Sequence, residues 1–310
     1  MAKIEQVYVT ITIDTECDHA PDWSRSSPLA FESIYHGLPN LLQPAFNSVE
    51  ATPTYLLTVE VMEDDASVAA IKGMPGQYEL GTHLHAAFIE PQKEHHDYAG
   101  INCPIFQCSY PPEIEFEKLS NLTQLFINRF GFQPTSFRAG RYGANHHSLN
   151  ALEQLGYTVD TSVTPHIKWR EPNITIDHTR APEQPYYPCQ NALDKPLPQS
   201  QTRPILEVPV TTRPRLFRRN PQWFRPWFSS IDAMKKVAQY HLRKYANNPI
   251  VVLNMMFHSM EVIPKASPYP QSEDEAKRFI DDMTATLNWC RNEGMQLVSL
   301  KEFTTIFTQR

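Results

Sequence analysis

Two acidic residues stand two positions apart at the end of the first apolar segment of the chain. The segment ends in TIDTE and contains Asp14 and Glu16. Side chains two positions apart on an extended chain point the same way, so both carboxylates would face one centre. Two carboxylates that close repel each other unless a cation or a proton lies between them. The spacing therefore favours a cation site, and the alternative is a solvated acidic pair at a strand end.

Two histidines repeat this spacing farther along the chain. His83 and His85 lie in the segment GTHLH, and both imidazoles could reach the same centre. Imidazole combined with carboxylate suits zinc or a similar divalent ion, with nickel, cobalt or manganese as alternatives. The ion lowers the pKa of a bound water, and a nearby carboxylate can take its proton. Asp14, Glu16, His83 and His85 therefore predict a metal centre that hydrolyses a C–N or ester bond.

A third histidine and two arginines follow other apolar segments. His258, in NMMFHSMEV, comes at the end of the most apolar segment of the chain. It could be a general acid that protonates a leaving amine, or a hydrogen-bonded core histidine. Arg138 and Arg141, in FRAGRYG, could orient a carboxylate or bind substrate oxygens. The alternative for one of them is a structural ion pair with Asp160.

Segments with strand-like patterns alternate with helical ones along the chain. The predicted strands are residues 7–13, 54–58, 78–82, 136–139, 157–160, 205–210, 250–257 and 296–299. Such alternation predicts a mainly parallel sheet, and about eight strands favour a single distorted (β/α) barrel of seven to eight strands over residues 1–310. In a parallel barrel the carboxyl ends of the strands share one face. The residues above all follow predicted strands, so this face is where we expect the active site.

Three helices have recognisable ends. Apolar residues spaced by three and four predict a helix over 119–130 that stops at Gly131. A second begins at Asn145, a residue type favoured at the N-cap. A third begins where Ser272 and Glu275 match a capping box, and it closes at Gly294.

These motifs, in this order, resemble those of the polysaccharide deacetylase family (carbohydrate esterase family four). The matching segments are residues 12–16, 81–83, 137–143 and 252–258. The resemblance implies a distorted barrel with a metal bound by one acid and two histidines. It also implies the role of each residue: Asp14 as catalytic base, Glu16 and His83 as metal ligands, His258 as catalytic acid, and Arg138 or Arg141 as the group that holds the base ionised.

The sequence departs from the family pattern at two places. Thr15 separates the two acids, which the common family has side by side. The common second histidine stands four positions after the first, where this chain has Ala87. His85 is the natural substitute, although it must reach the metal from a different direction, and this departure is compatible with a substrate other than the usual polymer. The other histidines that could supply the ligand are His95, His96, His146 and His147.

Two Pro-rich insertions, near residues 86–112 and 163–228, are expected over the mouth of the barrel. The second ends in a stretch where arginines alternate with aromatic residues. Such a stretch could grip single-stranded nucleic acid, hold a sugar with an anionic group, lie on a membrane surface, or form a solvated connector. We favour a lid for an anionic or nucleotide-linked sugar. The candidate substrate-binding residues are Tyr142, Asp160, Trp223 and Arg225.

The overall composition excludes several classes of protein. The net charge is −6 and the pI is about 6.1, which argues against a general nucleic-acid-binding protein. No apolar run approaches the ~20 residues of a membrane span, and the N-terminus is typical of a first strand rather than of a signal peptide. Five cysteines without a CxxC pair indicate reduced thiols and a cytoplasmic location.

Three functions remain compatible with these residues. The first is a metal-dependent hydrolase that removes an acetyl group from an N-acetylated sugar. The second opens another C–N bond, such as that of a cyclic amide, in the manner of an allantoinase. The third is a barrel that lost a metal ligand and binds sugars without turnover. The expected partner is a carbohydrate or a small amide, not a nucleic acid, and a homo-oligomer is compatible with the sequence.

Overall fold

A computed structural model describes residues 4–94, 105–171, 173–198, 200–215 and 220–309. The strands are β1 (Gln6–Thr15), β2 (Thr54–Leu57), β3 (Glu79–Leu84), β4 (Ser136–Ala139), β5 (Val159–Asp160), β6 (Lys168–Glu171), β7 (Ile174–Asp177), β8 (Pro188–Cys189), β9 (Ala192–Pro196), β10 (Leu206–Glu207), β11 (Thr212–Arg213), β12 (Gln222–Trp223), β13 (Ile250–His258) and β14 (Gln296–Val298). The α-helices are α1 (Gln43–Ser48), α2 (Val59–Glu63), α3 (Asp65–Lys72), α4 (Pro112–Phe130), α5 (His146–Gln154), α6 (Ile231–Lys244), α7 (Glu273–Asn292) and α8 (Leu300–Thr308). A π-helical segment, Ser33–Leu42, precedes α1, and short 3-10 turns occupy Ala86–Phe88, Gln107–Ser109, Gly140–Tyr142 and Ser259–Val262.

The main sheet has eight parallel strands, which confirms the predicted barrel. Its order is β10-β5-β4-β3-β2-β1-β13, and β14 also pairs with β1. The chain beyond β10 approaches β13, where the Thr211 amide donates to the Asn254 carbonyl at 3.0 Å. The sheet therefore curls into a distorted barrel, and the carboxyl ends of its strands meet at one face.

The register of the strands places the candidate site residues side by side. Asp14 on β1 lies opposite His258 on β13, although 243 residues separate them in the sequence. In the same way His83 on β3 lies opposite Arg138 on β4. Both faces of β1 and β13 are buried, as is usual for parallel strands covered by helices, so their apolar residues fix this register.

All eight predicted strands are present, and two of them are only two residues long. The fifth covers only Val159–Asp160, and the sixth covers only Leu206–Glu207. Beyond β10 the chain leaves the regular ladder because the Glu207 carboxylate itself accepts the Val163 amide at 3.0 Å. Backbone contact continues irregularly, with the Val210 amide donating to the Val163 carbonyl at 2.9 Å. The pattern of apolar residues could not predict this early end of the strand, because it does not indicate that a side chain replaces the backbone as hydrogen-bond acceptor.

The helix ends follow the sequence signals with one exception. Gly131 ends α4 at φ 82°, a left-handed conformation that favours glycine, and Asn145 caps α5. Ser272 caps α7 by accepting from the Glu275 amide at 3.3 Å. The capping box predicted a second hydrogen bond, from the Ser272 amide to the Glu275 carboxylate. This prediction is wrong, because that carboxylate accepts from the Gln271 amide at 2.6 Å instead. Within the described residues, no helix combines the length and apolar character that a membrane span requires.

The long insertion contains more regular structure than a loop. Three small antiparallel sheets, β6–β7, β8–β9 and β11–β12, lie within it. Glu183 fastens it to α6: its carboxylate lies 2.9 Å from Lys244 Nζ and accepts hydrogen bonds from the hydroxyls of Tyr240 and Tyr245 at 3.1 and 3.0 Å. His166 Nε2 lies 2.7 Å from the same carboxylate. These contacts hold the insertion against the rim of the barrel.

Candidate metal-centred active site

Glu16, His83 and His85 bring three donor atoms to one point at the carboxyl end of the sheet. Glu16 Oε1 lies 3.4 Å from His83 Nε2 and 3.3 Å from His85 Nε2. All three side chains are buried, and their donor atoms lie within 4.8 Å of one another. His85, two positions after His83, therefore reaches the centre despite the absence of a histidine at position 87.

The distances between these donors fit a divalent ion. In a tetrahedral zinc site, bonds of about 2.0–2.1 Å place neighbouring donors roughly 3.3–3.4 Å apart. The tautomer of His83 also fits, because its Nδ1 lies 2.9 Å from the Arg138 carbonyl oxygen, which can only accept. Nδ1 therefore carries the hydrogen and Nε2 offers its lone pair toward Glu16 Oε1. A backbone carbonyl on the outer nitrogen is a usual way to orient a metal-binding histidine.

Arg25 contacts the other oxygen of Glu16, and the sequence patterns did not predict it. Its Nη2 lies 3.3 Å from Glu16 Oε2, with both side chains almost fully buried. The guanidinium also lies 4.6 Å above the ring of Phe88, in the turn that follows His85. Arg25 therefore contacts one oxygen of the carboxylate, and the other, Oε1, faces His83 and His85. Its position between β1 and the π-helical segment carries no spacing signal that would have indicated this role.

The charges in the centre suit metal binding. Burial raises the pKa of Glu16, but its interactions with the nearby imidazoles of His85 and His83 outweigh burial, so the pKa lies well below its usual value. For His85 burial dominates and lowers the pKa below its usual value. Burial also lowers the pKa of His83, but the charge of Asp14 together with the carboxylate of Glu16 outweighs burial there, and the pKa is raised. These directions favour an ionised carboxylate at Glu16 and a neutral imidazole at His85, which are the forms that bind a metal ion.

Asp14 lies beside the centre and is held by Arg138. Arg138 Nη1 lies 2.6 Å from Asp14 Oδ1, and the remaining guanidinium nitrogens donate to Thr12 Oγ1 at 2.5 Å and to the Thr161 carbonyl at 3.0 Å. The other oxygen of Asp14 lies 3.9 Å from His83 Nε2. Burial raises the pKa of Asp14, but the Arg138 and His83 charges outweigh it and keep the pKa below its usual value. Asp14 is thus an ionised carboxylate with one oxygen facing the centre.

His258 also borders this centre, 4.0 Å from Glu16 Oε1, and has an acidic partner of its own. Its Nε2 lies 3.9 Å from Asp14 Oδ2, and its Nδ1 lies 2.7 Å from Glu261 Oε1. Arg225 contacts the same Glu261 oxygen, and its Nη2 lies 3.2 Å from His258 Nδ1. Glu261 is fully buried. Glu261 was missed by the sequence patterns, although its position three residues after His258 in HSME was a usable signal.

Comparisons with known proteins agree on the fold. No family model and no curated protein matches the sequence. Among solved structures, a candidate glycoside hydrolase/deacetylase from Parabacteroides distasonis superposes with a TM-score of 0.65 at 15% identity, over 99% of this chain and 72% of that one. A candidate polysaccharide deacetylase from Mycobacterium smegmatis gives a TM-score of 0.50 at 13% identity, over 98% and 93% of the two chains. The chain therefore shares the overall fold of these two proteins.

The predicted resemblance is thereby confirmed at the level of the fold. A GH57 branching enzyme from Thermococcus kodakaraensis is also similar, with a TM-score of 0.51 at 9% identity over 96% of this chain and 70% of that one. Since one fold carries different activities, the function has to be argued from the side chains of the site.

The remaining predicted residues take different places in this fold. Arg141 is exposed on the turn after β4, at φ 53°, outside the buried cluster. Asp160 is fully buried beside Glu207, and burial raises the pKa of both groups. Arg138 pairs with Asp14 rather than with Asp160. The rings of His146 and His147 lie 4.0 Å apart at the start of α5, outside the metal-binding groups found among the described residues. His95 and His96 lie outside the described residues.

The candidate substrate residues border the centre in two different ways. Tyr142 and Trp223 are almost fully buried, and their rings lie 6.3 Å apart. Arg225 is buried against Glu261, which already balances its charge. These contacts suit orientation of His258 better than binding of a free anion by Arg225. Arg218 and Arg219, which belong to the same stretch, lie outside the described residues.

Proposed function

We propose that the chain is a metal-dependent hydrolase that removes an acetyl group from an N-acetylated sugar. The observation that carries this proposal is the convergence of Glu16, His83 and His85 beside two further groups that can transfer protons. One is Asp14, ionised against Arg138. The other is His258, hydrogen-bonded to Glu261. An acid and a base on either side of a metal-binding point are what hydrolysis of an amide requires.

Each side chain has a separate part in this chemistry. When bound by Glu16, His83 and His85, a divalent ion would polarise the acyl carbonyl and acidify a water molecule. The free oxygen of Asp14 takes the proton of that attacking water, and Arg138 keeps the carboxylate ionised until it does. His258 Nε2 then gives a proton to the leaving nitrogen. Glu261, at Nδ1, stabilises the imidazolium that His258 must carry beforehand.

The position of His85 supports an enzyme over a barrel that only binds sugars. The hypothesis that the barrel lost a metal ligand rested on Ala87, which stands where the common family has its second histidine. His85 Nε2 lies 3.3 Å from Glu16 Oε1, so three donor side chains are available without residue 87. Ring opening of a cyclic amide would use the same acid and base, and a substrate panel separates it from deacetylation.

The experiment is hydrolysis by protein that has been stripped with a chelator and reloaded with zinc, cobalt, nickel or manganese. Acetate release from N-acetylated amino sugars and ring opening of cyclic amides are followed in parallel. We expect acetate release that needs the metal and no comparable ring opening. Ring opening without acetate release would favour the cyclic-amide activity, and a metal-loaded protein inactive on both panels would contradict the proposal.

A further inference from the structure

Asp160 and Glu207 form a pair of fully buried carboxyl groups in the wall of the barrel. They lie opposite each other in the register of the parallel strands β5 and β10, and their side chains are within hydrogen-bonding distance of each other. Neither the metal-binding residues nor the two proton-transferring groups of the proposed reaction include them. Two carboxyl groups this close cannot both be ionised in a buried place without a cation between them.

One oxygen of each group accepts a hydrogen bond from residues 161–163, the segment that follows β5. Asp160 Oδ1 accepts from the Ser162 hydroxyl at 2.6 Å, and Glu207 Oε1 accepts from the Val163 amide at 3.0 Å. The other two oxygens, Asp160 Oδ2 and Glu207 Oε2, are buried, and among the described residues neither has a donor. Buried oxygens without a donor are unfavourable. A proton on one of the two groups would satisfy both, because it makes one carboxyl a donor to the other.

Tyr186 and Arg138 lie next to the pair, but neither gives it a proton or an ion pair. The backbone of Tyr186 bonds to that of Glu207 in both directions, whereas its hydroxyl donates to the Leu193 carbonyl at 2.7 Å. Arg138, on the neighbouring strand β4, acts on Glu207 through its charge. Its guanidinium is nevertheless committed to Asp14, 2.6 Å away.

Within the described parts of the chain, the elements that cover the pair also leave it without a cation. The hairpin β8–β9 carries Asp194 and Cys189, an acid and a thiol. Arg203 reaches this hairpin, but its Nε lies 2.5 Å from Glu153 Oε1 on α5. Helix α8 packs against β5 and adds apolar side chains to the neighbouring cluster. A proton held by the pair itself is therefore the remaining way to avoid two adjacent buried charges.

The segment that this pair holds is the one that holds Arg138. The Thr161 carbonyl accepts from Arg138 Nε at 3.0 Å, and Thr161 Oγ1 accepts from Arg138 Nη2 at 3.3 Å. The Thr161 hydroxyl donates in turn to the carbonyl of Val208, the residue after Glu207, at 2.7 Å. The position of Arg138 beside Asp14 therefore depends on how β5 and β10 are held together.

We propose that Asp160 and Glu207 share one proton, as a carboxylic acid hydrogen-bonded to a carboxylate, and that the pair positions Arg138 through residues 161–163. Burial raises the pKa of Asp160, and burial together with the charge of Asp160 raises the pKa of Glu207 well above its usual value. A group with a raised pKa releases its proton on unfolding, so its contribution to stability falls as the pH rises above about 4.5. Only the effect on catalysis rests on the proposed function.

The test compares Asp160→Asn and Glu207→Gln with the wild type. Each new amide can donate the hydrogen bond that the shared proton supplies, and the remaining carboxylate keeps the same single charge. The matched control is Glu183→Gln. Glu183 is also buried, but its carboxylate contacts Lys244 and His166, and its pKa is lowered to about 2.

Infrared spectra in deuterated buffer at pH 7 detect a protonated carboxyl group by its carbonyl stretch. We expect the wild type to show such a band, and we expect both Asp160→Asn and Glu207→Gln to lose it. Glu183→Gln should keep it, because Glu183 is ionised at this pH. A band that is unchanged in both pair variants would overturn the inference, since neither residue would then carry the proton.

Urea unfolding between pH 6 and pH 8 measures the effect on stability. Relative to Glu207→Gln, the folded-to-unfolded ratio of the wild type should fall as the pH rises, by up to about tenfold per pH unit, the limit for one proton. The difference between the wild type and Glu183→Gln should stay constant over this range. A constant difference between the wild type and Glu207→Gln would contradict the shared proton.

Glu207→Leu tests the positioning of Arg138. Leucine can neither accept from the Val163 amide nor bond to Asp160, so kcat for acetate release should fall by roughly 10- to 100-fold at unchanged KM. Glu207→Gln should retain the wild-type kcat, and an unchanged kcat in Glu207→Leu would refute the positioning role. If Glu207→Leu fails to fold, Asp160→Ala decides by the same criterion. A wild type that shows the shared proton but releases no acetate would reject the proposed function and leave the proton pair standing.

Discussion

At the scale of single residues, the two carboxylate oxygens of Glu16 have different partners, and only those of one oxygen could be predicted from the sequence. Its Oε1 faces His83 and His85, whereas its Oε2 is occupied by Arg25. The motif TIDTE and the histidine spacing predicted the first side of this arrangement. Arg25 could not be predicted, because an arginine nine residues downstream in an irregular segment has no periodicity that relates it to Glu16. The residues within a motif were therefore predictable, and their distant partners were not.

Asp14→Asn should separate catalysis from metal binding. The amide cannot take a proton from water, so we expect kcat to fall by roughly 100- to 10,000-fold, the range of general base catalysis. Metal content should stay at the wild-type level because Glu16, His83 and His85 are unchanged. Initial rates of acetate release and metal analysis of the same preparation provide the check. Near-normal turnover would show that another group is the base.

Glu261→Gln should impair His258 without removing it. A neutral amide no longer stabilises the imidazolium, so we expect kcat to fall by roughly 10- to 100-fold with little change in KM. The loss should be smallest for substrates with a good leaving group, such as aryl acetates, because these need no proton from His258. A loss of the same size on amide and aryl ester substrates would instead indicate a purely structural role.

At the scale of elements, strand pairing explains how the site is assembled. Asp14 meets His258 because β1 pairs with β13, and His83 meets Arg138 because β3 pairs with β4. Apolar patterns predicted these strands, and the rule that parallel strand ends share a face predicted that the residues converge. The order of the strands, and hence which residue faces which, depends on long-range packing that local patterns do not encode. The hairpins of the long insertion escaped prediction for the same reason.

The turn after β4 passes close to His85 at Gly140, and a substitution there tests whether the position of His85 matters for metal binding. A Cβ at Gly140 would lie 2.6 Å from the Leu84 carbonyl oxygen and 3.0 Å from His85 Nδ1. We therefore expect Gly140→Ala to displace His85 and to weaken metal binding by about 10- to 100-fold. Competition with a chromogenic chelator measures the affinity. Gly73→Ala, at the end of α3, is the control, and equal affinities in the two variants would mean that His85 does not bind the metal.

At the scale of the whole molecule, the barrel supplies the centre and the insertion borders it. Trp169 and Trp223 belong to the insertion, and their rings lie 5.2 and 6.3 Å from that of Tyr142, in the turn after β4. Composition predicted that the insertion lies over the mouth, because long Pro-rich segments on a barrel commonly surround its active site. Its attachment through Glu183 could not be predicted, since His166, Lys244, Tyr240 and Tyr245 lie on both sides of it in the sequence. The stability of the molecule should depend on this attachment.

Glu183→Gln should destabilise the protein in a pH-dependent way. Burial raises the pKa of Glu183, but hydrogen bonds from His166 and Lys244 outweigh it and lower the pKa to about 2. A lowered pKa means that the ionised group stabilises the fold above about pH 4.5 and loses this effect as the pH falls toward 2. Because Lys244 is partly exposed, solvent screening limits the difference in unfolding free energy at pH 7 to about 1–2 kcal/mol.

Urea unfolding of the wild type and Glu183→Gln at pH 7 and pH 3 measures this difference. It should shrink at the lower pH, while the exposed control Glu117→Gln should differ little from the wild type at either pH. A difference that is constant with pH would assign the loss to packing rather than to charge.

Metal content is the most direct test of the central claim that Glu16, His83 and His85 form a metal centre. Wild type, Asp14→Asn, His83→Ala and His85→Ala are dialysed against excess zinc, then against buffer, and analysed for bound metal per chain. The site described above predicts about one tightly held ion in the wild type and in Asp14→Asn, and a large loss in both histidine variants. No bound metal in the wild type, or full occupancy in His85→Ala, would contradict it.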